Sequence, residues 1–211
     1  MNKMLMVWTV AMVVTATVLM TAGIFVTTLT QITLAQKNTT ISVMQSNSQN
    51  ATSNAKFLTY ENSTLGIRIH YPYNWTKQTA RDGIAFVVLP IGGNSNNPEK
   101  FVAKFNVTAI MGFPPNLPIK AMADHVIDGY RQFLPNFQIE SYANSTLSNN
   151  SAIKIVYRFS EPKNNSSFMA TDIATIKSDR LYVIQYYIQS PRSQIYLPTL
   201  KKMVDSFQIT G

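Results

Sequence analysis

Gly66-Ile67-Arg68-Ile69-His70-Tyr71-Pro72-Tyr73-Asn74-Trp75 is the stretch from which the fold can be read. From Gly66 to Tyr71, Ile67, Ile69 and Tyr71 fall on one side and Arg68 and His70 on the other, the period-two pattern of a half-buried strand. Pro72 has no amide hydrogen to give to a ladder, so the strand must leave its sheet there. Trp75, three residues on, supplies a large apolar plug. Phe57 to Tyr60 is a short strand, and Asn62 to Gly66 has turn chemistry, so the two strands are expected to form a hairpin.

Upstream, no residue between Lys3 and Lys37 is charged. Met4 to Thr30 is nearly all apolar residues and Thr, and as a helix it would be about 40 Å long, enough to cross a bilayer with some tilt. A signal peptide has an apolar region of only about 7–15 residues, which favours an anchor, whereas the small residues Thr33 and Ala35 sit at the spacing of a cleavage site. Residues 1–36 therefore read as a signal peptide or transmembrane anchor, with the chain beyond them extracytoplasmic, membrane-anchored or secreted. Residues 37–55 are Asn, Ser, Thr, Gln and Ala with few apolar side chains, the composition of a flexible polar linker. Residues 56–211 are enough for one domain with its own core.

The chain has no cysteine, which excludes disulfides, a lipoprotein thiol and any Cys nucleophile or metal site. Its formal net charge is +8. That surplus suits an anionic surface or an acidic partner protein. The basic residues are scattered rather than gathered in a stripe, so no nucleic-acid partner is expected.

Asn-x-Ser/Thr sequons start at Asn38, Asn50, Asn62, Asn74, Asn106, Asn144, Asn149, Asn164 and Asn165. Chance would give about three for this content of Asn, Ser and Thr, so on an exported chain they are glycosylation candidates. Phe101 to Ile110 alternates, with Lys104, Asn106 and Thr108 on one face. A glycan on Asn106 would require that face to be open to solvent.

The continuous apolar run Ile84 to Pro90 is expected to be a central strand covered on both faces. The following Gly92-Gly93 loop lacks the Gly-Lys-Ser/Thr of a phosphate cradle. On the proline-rich loop Gly112 to Pro118, Phe113 is either a docking knob or a core residue. Ile119 to Leu134 has an apolar stripe at spacings of three and four and ends at Pro135, a helix. Asp124, His125 and Asp128 share its wet side, an arrangement far commoner on solvated helices than at metal sites. Phe137 to Tyr142, Ala152 to Ser160, Phe168 to Lys177 and Leu181 to Gln189 read as an antiparallel meander. A closing helix is expected to start near Pro198, followed by a short strand at Gln208 to Gly211.

This arrangement resembles the PsbP family, extrinsic proteins of the photosynthetic oxygen-evolving complex, and its wider set of PsbP-like proteins. The residues carrying the resemblance are Tyr60, the run Gly66 to Tyr71, Pro72 and Trp75, the helix after Pro118, the paired strands from Ala152 to Gln189, and Lys201 to Ser206 and Phe207. It implies an α+β fold, a central antiparallel β-sheet flanked by helices in an α/β/α sandwich. For the plant members it implies docking to a photosystem and retention of calcium and chloride. No motif for those ions is present here, so fold and a non-catalytic style are what carry over. Only His70 and His125 are available as histidines, and neither has a partner at triad or metal spacing, so no enzyme, cofactor or metal is expected. The expected function is that of an extracytoplasmic accessory domain docking to a protein or assembly at the cell surface. The alternative is a small-ligand or lipid carrier with a cleft between sheet and helix, marked by a dry cavity of several hundred Å3.

Overall fold

A computed structural model describes residues 56–78, 84–90, 102–114, 116–161 and 166–211. The apolar run, the polar linker, the Gly92-Gly93 loop and Asn38, Asn50, Asn164 and Asn165 lie outside the described residues. Among the described residues no helix is long and apolar enough to cross a membrane.

The described strands are β1 (Phe57–Asn62), β2 (Ile67–Pro72), β3 (Trp75–Gln78), β4 (Ile84–Pro90), β5 (Ala103–Met111), β6 (Gln138–Leu147), β7 (Asn150–Glu161), β8 (Ser166–Lys177), β9 (Arg180–Gln189) and β10 (Gln208–Ile209). The described helices are α1 (Ile119–Phe133) and α2 (Ser193–Asp205), the second entered through a 3-10 turn at Ser190–Arg192. Two antiparallel sheets result, one of three strands ordered β1-β2-β10 and one of seven ordered β3-β4-β5-β9-β8-β7-β6.

The hairpin forms as its alternation predicts, with Leu58 opposite Tyr71 and Tyr60 opposite Ile69. Ile67 and Ile69 are fully buried. Its turn closes on Gly66 at φ +63°, with the Asn62 side-chain oxygen accepting the Leu65 amide at 3.0 Å. A methyl group on Gly66 would stand 3.2 Å from the Gly211 nitrogen, so glycine serves here both for its left-handed backbone and for its lack of bulk.

The expectation of a single central sheet is corrected at Pro72. Pro72 is the last residue of β2, and Trp75 is both the buried plug and the first residue of β3 in the other sheet, where it pairs with Pro90. The small sheet and α2 cover one face of the large sheet, and α1 covers the other. β4 lies next to the edge strand rather than at the centre, although its Val88 and Leu89 are buried in opposite cores. The meander β6 to β9 forms as expected.

α2 begins five residues before Pro198 and carries it internally. Pro198 forfeits the bond to the carbonyl of Gln194, which lies in an exposed first turn where water can replace it. At the other end of α2, the Ser206 hydroxyl accepts the His70 amide at 3.0 Å and donates to the Met203 carbonyl at 2.8 Å. One side chain thus caps the helix and fastens it to β2.

Two substitutions grade these contacts. Ile69→Ala should cost about 2–5 kcal/mol, since it empties a closed core site, and Ser206→Ala about 1–2 kcal/mol from the two hydrogen bonds its hydroxyl makes. Urea unfolding followed by circular dichroism reads both. Equal and negligible shifts would overturn the view that β2 is the spine of this layer.

Candidate functional site

The family-signature residues converge. Tyr71, Trp75 and Phe207 pack in the core between the small sheet, α2 and the large sheet, and Gly66 and Ser206 hold its margins. Trp75 meets Tyr196 of α2 edge-on at 6.1 Å, and Phe207 meets Tyr182 at 6.4 Å. They build the fold and present no polar chemistry to solvent. Phe113 is likewise buried, a core residue rather than a docking knob.

Of the sequons, Asn74, Asn144 and Asn149 are exposed and Asn62 is half-buried. Asn106 is corrected by its position. It lies on β5 between β4 and β9, is 1% exposed, and its amide nitrogen donates to the Tyr187 hydroxyl at 3.0 Å. A sugar on that nitrogen has no room in this fold.

The α1-facing side of the large sheet carries a polar row that strand alternation alone did not reveal. Asn106, Gln185 and Asp172 stand side by side on β5, β9 and β8, all buried. The Tyr130 hydroxyl, from α1, donates to Asp172 Oδ2 at 2.6 Å, and the Tyr157 hydroxyl reaches Asp172 Oδ1 at 3.4 Å. Gln185 Nε2 donates to the Tyr130 hydroxyl at 3.3 Å. Burial pushes the Asp172 carboxyl up to about 6 against the opposing pull of these donors. Burial, and next the Asp172 charge, raise both tyrosines well above the usual phenol value. The network ties helix to sheet at one point.

Two residues before Asn106 on β5, Lys104 is 5% exposed, and burial lowers its ammonium to about 8. No carboxylate pairs with it among the described residues. Asp124 is engaged by Lys120 and by the Tyr142 hydroxyl at 2.8 Å, and Asp128 by Arg131. No group of three or more metal-ligating side chains occurs among the described residues. Under α1, Met122, Val126, Ile155, Asp172 and Val183 line a cavity of about 20 Å3. That is room for about one water, far below the roughly 300–1,000 Å3 of a small-molecule site.

Two buried charges give opposite pH signatures. Asp172 has a folded pKa above its ordinary 3.8, so the folded state holds the proton more tightly. Its contribution to stability is fully present below pH 3.8, falls as pH rises from there to about 6, and is flat above. Asp172→Asn should remove that slope, leaving stability flat between pH 3.8 and about 6. For Lys104, depressed to about 8 from 10.5, stability should rise with pH between those values, and Lys104→Met should abolish the rise. Unfolding free energies across pH check both.

Comparison with known proteins follows the same lines. Cyanobacterial PsbP (CyanoP) from Synechocystis sp. PCC 6803 superposes with a TM-score of 0.53 at 12% identity, over 77% of this chain and 98% of that one. LpqN, involved in cell envelope biogenesis of Mycobacterium tuberculosis, gives 0.51 at 12% identity, over 75% of this chain and 93% of its own. The Saccharomyces cerevisiae Ran-binding protein Mog1p gives 0.47 at 12% identity, over 74% of this chain and 97% of its own. No curated protein matches the chain at the level of sequence. The profile of the PsbP-like protein family matches residues 10–209, nearly the whole sequence, and the chain belongs to that family.

Proposed function

We propose that this PsbP-like chain is a membrane-tethered or secreted, extracytoplasmic, non-catalytic accessory domain that docks to a protein or assembly at the cell surface. The observation that carries this reading is the packed core among the described residues. There Asp172, Lys104, Tyr130 and Tyr157 are buried, and the cavity beside Asp172 has a volume of about 20 Å3. A carrier needs a larger chamber to hold its cargo, which favours action through the outer surface. The uncharged run before Lys37 and the polar linker after it support a tether. The likeness to LpqN, whose description places it in cell envelope biogenesis, is in keeping with that setting.

The basic surplus favours acidic partners. Glycans, where the host attaches them, fit on the exposed sequons Asn74, Asn144 and Asn149, after β2, on β6 and in the β6–β7 turn.

Cross-linking on intact cells at native abundance, with attached proteins identified by mass spectrometry, should recover a discrete partner. Recovery of free monomer alone would count against docking. Protease added to whole cells should cut within residues 37–55 and release the domain. A domain degraded only after lysis would overturn the extracytoplasmic assignment.

A further inference from the structure

The two ends of the seven-stranded sheet differ in how they meet solvent. β3, at one end, is four residues long and carries Lys77. Brevity and lysine are devices that keep a further strand from joining. β6, at the other end, runs ten residues, Gln138–Leu147, with no Lys, Arg or Pro. It pairs only with β7, and its one register irregularity falls between Ile139 and Ser141. From Ser141 to Leu147 the ladder to β7 is regular. Ser141, Ala143, Asn144 and Thr146 are exposed, on both faces of the strand, as an uncovered edge requires. In such a strand about half of the backbone amides and carbonyls point away from the sheet, ready to pair.

The sheet surface beside this edge is basic. Ala143 stands opposite Lys154 of β7, and Gln138 opposite Arg158. The same face of β7 and β8 continues through Val156, Ser160, Ser167, Met169 and Thr171 without a carboxylate. Glu140, at the irregular register, pairs with Arg158. The ion pairs among the described residues leave Lys154 out. Lys154 is half-buried, and Ala143 is too short to screen it from a strand laid against β6, which would lie about 10 Å from β7.

We propose that β6 is a docking edge that takes an extended acidic segment of a partner protein as an eighth strand of the large sheet. The partner's backbone continues the ladder from Ser141 to Leu147, and its alternate carboxylates face Lys154. The inference rests on the docking reading above, and names the surface and the chemistry of the partner. Charge decides against a second copy of this chain as the occupant. Two copies joined antiparallel through β6 bring Lys154 and Arg158 of both onto one face of the joined sheet, and each chain carries a formal +8.

Amide hydrogen exchange on the full chain in detergent micelles tests this with two synthetic decapeptides, one alternating Thr with Glu and one alternating Thr with Lys. The expected result is that fast-exchanging amides between Ser141 and Leu147 become protected by the Glu peptide and not by the Lys peptide. Lys154→Glu should weaken the Glu peptide by about tenfold and admit the Lys peptide. Lys154→Gln, which keeps the length of the stem, should give a smaller loss, and serves where charge reversal disturbs the strand. No protection of β6 by the Glu peptide, or equal protection by both peptides, would overturn the proposal. So would a dimer held through β6, or a glycan on Asn144 of the native protein. In intact cells, a photo-cross-linking residue at Ala143 should attach to an acidic segment of the partner, and one at the exposed Tyr73 should not. A discrete partner captured on another face while position 143 stays silent sinks the β6 assignment and leaves docking standing. No partner on any face removes both.

Discussion

Pro72 cannot donate a backbone hydrogen bond, and the architecture turns on that lack. The strand ends there, two turn residues follow, and Trp75 begins pairing in the other sheet. The hairpin is left as a separate small sheet. Such a sheet has one apolar face and little area, so it is stable only when pressed against something larger. It finds that support in α2 and the far side of the seven-stranded sheet, with Ile67, Ile69, Tyr71 and Trp75 forming the contact. The two faces of the large sheet then acquire different characters. One is sealed by aromatic and aliphatic packing, and the other by a helix pinned through a carboxylate and two phenols.

That second face shows what periodicity reveals and what it hides. Alternation groups Lys104, Asn106 and Thr108 on one side of β5 as expected, and on β8 the same spacing puts Phe168, Ala170, Asp172, Ala174 and Ile176 together. Whether a side faces water depends on which strands become neighbours, and that is decided by residues far away in sequence. β5 lies inside the large sheet, and this is the side on which α1 packs, so a face that looked wet is buried. A signal was nonetheless present. A single Asp flanked on its own face by Phe168, Ala170, Ala174 and Ile176 is a poor candidate for a solvated position. The strand at Trp75–Gln78 left no such trace, being four residues long with three of them polar. The early start of α2 was hidden because a proline ordinarily marks the first turn.

The elements that were legible owe it to local physics. The stripe from Met122 to Tyr130 needs only the helical repeat to find its buried side. The meander from β6 to β9 needs only short polar connections, two of them closing through left-handed residues at Ser148, Asn149 and Ser178. Docking and charge are less legible because they depend on what remains uncovered. Tyr73 and Trp75 are two residues apart and both aromatic, yet one is buried and the other stands in solvent.

β2 is also paired with β10, and Ile67 lies about 140 residues from Ile209 along the chain. At about 5–20 residues per second, a ribosome needs roughly 7–30 s to make that stretch. Through that interval the early hairpin has no third strand and no helix against its greasy side. Closure of this layer therefore waits on the synthesis of Ile209, and the hairpin cannot complete its packing from its own local sequence.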